Sequence, residues 1–234
     1  MTAPGVLVLA GLDPSGGAGL LADAEAVRAL GARPFCVATA LTVQTTLAAR
    51  RYQPVDAGLI RDSIAALLEE EDVRAIKIGM VGSAANARAI RSLLPARIPL
   101  VVDPVLAASS GAPLFDGKPE DLLALARDAV LTPNIPEAEA LLGGPADAGK
   151  LLRLGPKAVL LKGGHLEGAP VDILATSSGV ERFTASRIPA RARGTGCRLA
   201  SAIAAGLARG LLLREAVISG REHVRGWLQE HVPV

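Results

Sequence analysis

Gly194-Thr195-Gly196-Cys197 runs without a break into Arg198-Leu199-Ala200-Ser201-Ala202-Ile203-Ala204-Ala205-Gly206-Leu207-Ala208-Arg209. Two glycines let the backbone turn tightly and approach a ligand with no Cβ in the way. Behind them Leu199, Ile203 and Leu207 recur four apart, as one face of a helix does. A glycine turn that opens a helix leaves the first amides without intrahelical partners, at the positive end of the helix dipole. Such a turn is suited to an anion. Cys197 lies inside it, where a thiol pKa is expected to fall from about 8.5. Taken alone, the same residues read equally well as an ordinary glycine turn with a packed cysteine, so the rest of the chain has to decide.

Outward from this turn, apolar runs alternate with amphipathic stretches. Val6 to Ala10 is a continuous apolar run, suited to a strand buried on both faces. The loop Gly11-Leu12-Asp13-Pro14-Ser15-Gly16-Gly17-Ala18-Gly19 follows, then a helix over Leu20 to Leu30 that stops at Gly31. Further strands are predicted at Phe35 to Leu41, Ala75 to Ile78, Leu100 to Val102, Ala129 to Leu131 and Ala158 to Leu161. Helices are predicted at Asp56 to Glu71, Ala84 to Leu94, Pro119 to Arg127 and Pro136 to Leu142, with another ending over Leu151 to Leu154. Thr42 to Thr46 leads into a loop or a small flap. Val171 to Thr176 and Val180 to Ala185 form a hairpin about Ser177-Ser178-Gly179, and the last helices are Thr195 to Arg209 and Arg214 to Gln229. This alternation predicts an α/β fold, a mostly parallel sheet with helices on both faces, to which the late hairpin adds antiparallel edge strands. No repeat, low-complexity tract or linker divides the sequence, so one domain over residues 1–234 is expected.

Hydrophobic residues make up 50% of the chain and aromatics only 2%, so the core is built from Ala, Val, Leu and Ile. Lys and Arg number 25 against 23 Asp and Glu, a net charge of +2. Near balance with so few aromatics argues against a nucleic-acid surface. Cys36 and Cys197 are far apart and show no zinc or disulfide spacing, which suits a reducing compartment. The first apolar run is too short for a signal peptide and lacks a basic flank, and no run approaches the ~18 apolar residues of a membrane span. A cytoplasmic protein with neither membrane nor nucleic-acid partners is expected.

In sheets of this kind ligands bind beyond the C-terminal ends of the strands. The polar residues predicted there are Asp13, Gln44, Met80 beside them, Asp103, Asn134, Glu137 and Lys162, on the same rim as the Gly194–Cys197 turn. Gly17-x-Gly19-x-x-Ala22 is a loose dinucleotide pattern without the acid expected about 20 residues later, so the first loop reads better as one that wraps a small substrate, with Asp13 on that side. No G-x-x-x-x-G-K-[ST] is present, which excludes a P-loop kinase. Asp103-Pro104 reads as a turn and Glu137 as a favourable charge at a helix start. Together, beside an anion turn, these carboxylates also suit Mg²⁺, which prefers oxygen ligands and keeps part of its water shell. Lys162 either snorkels or neutralises a phosphate. Of Arg182, Arg187, Arg191, Arg193 and Arg198, the first three read as a solvated loop, whereas Arg193 and Arg198 flank the glycines and are placed to reach a nucleotide phosphate.

Several stretches together resemble one family. Gly11 to Gly19, Thr39-Ala40-Leu41-Thr42-Val43-Gln44, Lys77-Ile78-Gly79-Met80, Val102-Asp103-Pro104-Val105, Thr132-Pro133-Asn134-Ile135-Pro136-Glu137-Ala138, Leu161-Lys162-Gly163-Gly164-His165 and Gly194 to Cys197 are similar, in order and over nearly the whole chain, to the hydroxymethylpyrimidine and phosphomethylpyrimidine kinases of thiamine biosynthesis. The resemblance implies a ribokinase-like α/β/α sandwich. It implies ATP- and Mg²⁺-dependent phosphorylation of 4-amino-5-hydroxymethyl-2-methylpyrimidine and then of its monophosphate. Carried over by position, Ala18 and Gln44 hydrogen-bond the aminopyrimidine, while Met80 and Val105 pack on it. Asp103 and Glu137 serve the metal and its waters, and Asn134 and Lys162 lie near the nucleotide phosphates. Gly194, Thr195, Gly196 and Cys197 form the anion hole, with Cys197 in place of the aspartate common elsewhere in the fold. The family often forms homodimers.

This chain departs from the family pattern in places. Arg193 stands where a histidine usually precedes the turn, and Arg198 where a small hydroxyl residue usually follows the cysteine. The segment between Leu142 and Leu160 is short, and the family's usual C-terminal extension is not seen. Two other readings follow. One is a pyridoxal-type kinase on the same scaffold, against which Gln44 speaks because its amide both donates and accepts. The other is a non-catalytic pyrimidine-binding relative in which the two arginines spoil the ATP site.

Overall fold

The structure is a computed structural model that describes residues 3–108, 110–163, 170–190 and 192–231; Gly164, His165 and Arg191 lie outside the described residues. In chain order the elements are β1 (Gly5–Leu12), α1 (Gly19–Ala29), β2 (Arg33–Gln44), β3 (Ala49–Pro54), α2 (Ala57–Glu70), β4 (Val73–Ile78), α3 (Ala84–Arg91), β5 (Leu100–Val102), α4 (Pro119–Leu125), β6 (Val130–Leu131), α5 (Ile135–Leu142), α6 (Ala148–Leu152), β7 (Ala158–Leu161), β8 (Val171–Thr176), β9 (Gly179–Thr184), α7 (Thr195–Ala208) and α8 (Leu213–Glu230). The strands form a 9-stranded sheet in the order β3-β2-β1-β4-β5-β6-β7-β8-β9. From β2 to β7 all pairings are parallel, while β3 at one edge and β8 and β9 at the other are antiparallel.

The two faces of the sheet bury different apolar sets. Along β1, Leu7 and Leu9 point into one layer and Val6, Val8 and Ala10 into the other, the period of two that a doubly covered strand requires. The first layer takes Ile60 and Ile64 of α2, Ile90 of α3, Leu122 and Leu125 of α4, Leu141 of α5 and Leu151 of α6. The second takes Leu20 and Val27 of α1, Leu199 and Ile203 of α7, and Val217 and Val224 of α8. Truncating a fully buried Leu or Ile among these, such as Ile60, Leu125 or Ile203, to Ala costs about 2–5 kcal/mol. Among the described residues no helix is long and apolar enough to cross a membrane.

The Thr42–Thr46 stretch is the flap of the predicted pair of alternatives. It continues β2 to Gln44 and returns antiparallel as β3, a strand that the sequence pattern did not announce. Ala49-Arg50-Arg51-Tyr52-Gln53-Pro54 carries the basic residues and proline of an edge strand rather than an apolar run. The predicted helix over Ala84 to Leu94 closes earlier, at Arg91, because Leu93 and Leu94 donate back to Ile90 and Arg91 in tighter i−3 turns.

The rim is set by the ladder itself, which extends past the strand ends. Gly79 N–H donates to Leu9 O at 2.8 Å, Asp103 N–H to Ile78 O at 2.8 Å, Thr132 N–H to Val102 O at 2.9 Å and Lys162 N–H to Pro133 O at 2.8 Å. Each polar residue that follows an apolar strand is thus held in register with its neighbours. From β1 the chain next adds β2 on one side, and from β4 it next adds β5 on the other. The strand order therefore reverses between β1 and β4, the crevice where α/β sheets take ligands.

Candidate active site

Above that crevice lies a cleft of about 930 Å³, lined by Asp13, Ala18, Gln44, Met80, Asp103, Val105, Asn134, Glu137, Lys162 and Arg193 together with Gly194 to Cys197. Of the arginines singled out from the sequence, Arg187 and Arg193 line it, whereas Arg182 and Arg198 do not.

The glycine turn crosses the cleft from side to side. Gly194 is the N-cap of α7 with φ 74°, and a Cβ there would run into the Gly17 carbonyl oxygen, so only glycine lets the turn sit on the first loop. The first i−4 bond of the helix is Arg198 N–H to Gly194 O at 2.9 Å. The amides of Thr195, Gly196 and Cys197 precede it, and among the described residues no side chain caps them. On the far side, a Cβ on Gly196 would stand 3.0 Å from Lys162 Nζ and 3.8 Å from Asp103 Oδ2. The bare backbone therefore leaves that space to the lysine.

The thiol corrects an expectation. Burial pushes Cys197 up to about 12, although Lys77 and the Gly19 amide pull it down. Desolvation outweighs the helix terminus, and the thiol is neutral at physiological pH.

Beyond Gly196, Lys162 Nζ donates to Asp103 Oδ1 at 2.7 Å and lies 4.0 Å from Glu137 Oε2. Thr132 Oγ1 is 3.5 Å from the same Asp103 oxygen. Glu137 is placed by a capping box at the start of α5: its Oε2 accepts from Asn134 N–H at 2.8 Å, and its own N–H donates to Asn134 Oδ1 at 2.8 Å. Burial raises the Glu137 carboxyl to about 7, Lys162 works against this, and Asp103 adds to it. Burial also works against the Lys162 charge, but Asp103 and Glu137 outweigh it and hold the ammonium above the usual lysine range. When both carboxylates ionise, the trio carries one net negative charge. This donor set, all oxygen and short of a full cage, fits Mg²⁺ held with part of its water shell and phosphate oxygens. Among the described residues no group of three or more His, Cys, Asp or Glu is arranged to hold a metal by itself.

At the opposite end, Asp13 is 3% exposed and fully engaged. Its Oδ1 accepts from Ser15 N–H at 2.9 Å and Ser15 Oγ at 2.7 Å, while Oδ2 accepts from Gln44 Nε2 at 2.9 Å. Met80 packs with Ala40 and Leu114, and Val105 leans on that cluster. The Thr39 hydroxyl donates to the Met80 carbonyl and fixes the backbone beside it.

The arginines do not stand where the sequence put them. Arg193 was expected at a nucleotide phosphate. Its Nη2 lies 3.3 Å from Asp13 Oδ2, and its Nη1 donates to Thr45 O at 2.6 Å, at the other end of the cleft from Lys162. Arg198 is 3% exposed and leaves the cleft altogether. It pairs with Glu25 at 2.9 Å and lies 4.2 Å over the Trp227 ring, between α1 and α8. One helical step of about 100° separates the cleft-facing Cys197 from this direction. Arg182 lies on β9, and Arg187 lines the cleft.

The sequence reading also missed a charged pair beneath the turn. Lys77 of β4 and Asp23 of α1 are both fully buried and meet at 2.6 Å, and Ser201 of α7 donates to the second Asp23 oxygen at 2.8 Å. Lys77 lines the cleft floor. The signal was present: a lysine inside an apolar strand, and an aspartate on the apolar face of a helix, each demand a partner.

Comparisons with known proteins identify the family and the fold. The family model for phosphomethylpyrimidine kinase matches residues 13–234. The chain is 41% identical over 236 residues to the thiamine biosynthesis bifunctional protein ThiED of Geobacter sulfurreducens, covering 94% of this chain and 48% of that protein, so it spans about half of that relative. It is 39% identical to the hydroxymethylpyrimidine/phosphomethylpyrimidine kinase of Rhizobium meliloti, covering 93% of this chain and 88% of that protein. A crystal structure of phosphomethylpyrimidine kinase from Clostridium difficile superimposes with a TM-score of 0.81 at 36% identity, covering 96% of this chain and 99% of that one. An ADP complex of Bacillus subtilis pyridoxal kinase gives 0.87 at 26% identity, covering 99% of this chain and 94% of that one. With the sheet order, the glycine turn and the carboxylate–lysine cluster in place, these likenesses have one meaning: the chain belongs to the phosphomethylpyrimidine kinase family and has its ribokinase-like fold.

Proposed function

We propose that this protein transfers the γ-phosphoryl group of ATP to the hydroxymethyl group of 4-amino-5-hydroxymethyl-2-methylpyrimidine, and a second phosphoryl group to the resulting monophosphate. The observation that carries this reading is the position of the glycine turn. Its amides lie between the end of the cleft lined by Asp13 and Gln44 and the cluster of Lys162, Asp103 and Glu137, which is suited to neutralise phosphate.

Each group then has a task. Asp13 only accepts, so it takes the amide nitrogen of Gln44 and leaves the amide oxygen for the ligand. A free acceptor suits the exocyclic amino group of the pyrimidine, and pyridoxal has no such group. The Ala18 backbone and the Met80 and Val105 side chains complete the ring pocket. Asn134 and Lys162 face the nucleotide phosphates. Asp103 and Glu137 would hold Mg²⁺, which supplies neutralising charge to those phosphates when bound.

Phosphoryl transfer needs positioning and charge stabilisation above all. The amides of Thr195, Gly196 and Cys197 aim at the transferring group, and each such donor contributes on the order of 3 kcal/mol. The Cys197 thiol is neutral and already carries its proton, so it is not the base. The substrate hydroxyl proton passes to an oxygen of the transferring phosphoryl group as the new O–P bond forms and the bond to ADP breaks, and the thiol adds a weak S–H donor beside the turn amides. Cys197→Ala is expected to lower kcat by about tenfold, the scale of losing one hydrogen bond to a charged oxygen, with little change in pyrimidine affinity. An unchanged kcat removes Cys197 from the mechanism.

The primary test is ADP release with ATP and Mg²⁺, run side by side on the hydroxymethylpyrimidine, its monophosphate and pyridoxal. Fast turnover on the first two is expected. Turnover on pyridoxal alone, or pyrimidine binding without turnover, overturns the reading.

A further inference from the structure

Arg193 joins three parts of the cleft that the chain builds separately. It belongs to the segment before the glycine turn, its Nη2 lies 3.3 Å from Asp13 Oδ2 in the first loop, and its Nη1 donates to Thr45 O at 2.6 Å where β2 turns into β3. The same Asp13 oxygen accepts from Gln44 at 2.9 Å. Asp13 is 3% exposed, so its charge is poorly solvated and depends on these donors. The hairpin tip is otherwise held by local bonds: Thr45 N–H closes on Ala48 O at 3.0 Å, Thr45 Oγ1 accepts from the Leu47 and Ala48 amides at 3.3 and 3.4 Å, and Leu47 is 89% exposed.

We propose that Arg193 is a positioning residue for pyrimidine specificity: it fixes Asp13 and the β2–β3 tip so that Gln44 presents its amide oxygen to the ring's amino group, and it takes no part in holding the nucleotide. The inference rests on the pyrimidine-kinase reading above and adds a role to a residue whose sequence position pointed to ATP. Without the guanidinium, Asp13 keeps one neutral donor for Oδ2. The carboxylate is then free to rotate toward water and away from Gln44. Once Oδ2 no longer holds the Gln44 nitrogen, nothing fixes which end of the amide faces the ring, and the acceptor the amino group needs is lost.

The test uses the whole chain and compares Arg193→Met and Arg193→Lys with the unaltered protein. Pyrimidine binding is read by calorimetry, and KM for each substrate by ADP release. For Arg193→Met, the pyrimidine Kd and KM are expected to rise about tenfold or more, as for loss of a charge-assisted hydrogen bond, for the alcohol and the monophosphate alike. KM for ATP should stay within about twofold. Arg193→Lys returns a charge beside Asp13 without the forked reach to Thr45, so it should recover part of the pyrimidine affinity. Asp13→Asn combined with Arg193→Met should cost less than the sum of the single changes, because the charge that needed the arginine is gone. A rise in KM for ATP with pyrimidine affinity unchanged overturns the inference in favour of a nucleotide contact. A penalty confined to the monophosphate overturns it in favour of a substrate-phosphate contact. Tight pyrimidine binding by every variant overturns it alone, whereas an unaltered protein that binds no pyrimidine overturns the functional reading and this inference with it.

Discussion

Two lysines of this sheet, Lys77 inside β4 and Lys162 just past the end of β7, each stand against a carboxylate, and the protein uses them differently. Lys77 meets Asp23 at 2.6 Å and Lys162 meets Asp103 at 2.7 Å. The side chains of the first pair are 0% exposed, and the charges cancel. Lys162 is 12% exposed and has a second carboxylate, Glu137, at 4.0 Å, so its cluster is one negative charge in excess once Glu137 ionises. The closed pair also takes a hydrogen bond from Ser201 and so ties α7 to α1 and β4 beneath the glycine turn. The open cluster has capacity left for phosphate and a divalent cation. Burial and charge count, more than the chemistry of a lysine–carboxylate contact, separate a support from a working site.

The largest test of that difference is Lys77→Met. It leaves Asp23 buried and unpaired, which costs about 3–5 kcal/mol of stability. Chemical denaturation should show the loss with and without ATP. Adding Asp23→Leu should recover much of it, because replacing both members of a buried pair by apolar groups is often nearly neutral. If Lys77→Met keeps its stability and loses only turnover, Lys77 belongs to the working site and the comparison breaks.

Lys162→Met is expected to act in the other sense. Turnover should fall by about 10²- to 10³-fold, the scale for removing one preorganised charge-stabilising donor. Stability should fall less than for Lys77→Met, because water reaches this cluster and Mg²⁺ offsets the lost charge. ADP release and denaturation on the same preparation check both halves. Next in size comes Ser201→Ala, which removes one buried hydrogen bond to Asp23 and should cost about 1.5–3 kcal/mol. Its thermal midpoint should drop by several degrees, at roughly 2–4 °C per kcal/mol for a chain of this size. A larger loss of turnover than of stability would mean that the tie beneath α7 also sets the geometry of the turn.

The same contrast explains how far the sequence could be read. Asp103 and Lys162 were legible because each follows an apolar strand, and the ladder carries such residues to the rim in register. Gly194 to Cys197 were legible because glycine spacing and helical period are local properties. Lys77 and Asp23 were passed over because they lie 54 positions apart and only packing brings them together. Arg193 and Arg198 were misplaced for a related reason: sequence gives nearness to the glycines but not direction, and one turns to Asp13 while the other turns to Glu25 and Trp227. For Cys197 the helix terminus was readable and the depth of burial was not, so the sign of its pKa shift was wrong. Strand β3 escaped because an edge strand rich in arginine has no apolar period to show.

The smallest expected effect belongs to the open cluster alone, and it depends on pH. In the cation-free protein the Glu137 carboxyl is raised from 4.5 to about 7, by burial first and by Asp103 in addition. The folded chain thus holds a proton that the unfolded chain has lost. Its contribution to stability is complete below pH 4.5 and disappears as pH rises through about 7. A cation at Asp103 and Glu137 has to displace that proton. Apparent Mg²⁺ affinity should therefore climb about tenfold per pH unit below 7 and level off above it, with proton release visible as a buffer-dependent heat in calorimetry. Lys162 stays protonated throughout this range and does not confuse the titration. Glu137→Gln should flatten both the affinity profile and the stability profile between pH 4.5 and 7. Lys77→Met combined with Asp23→Leu should leave the Mg²⁺ profile as it is, because the closed pair has no free charge to offer. A Mg²⁺ affinity that ignores pH in the unaltered protein would place the cation away from Glu137, and the distinction between the two lysine clusters would then rest on burial alone.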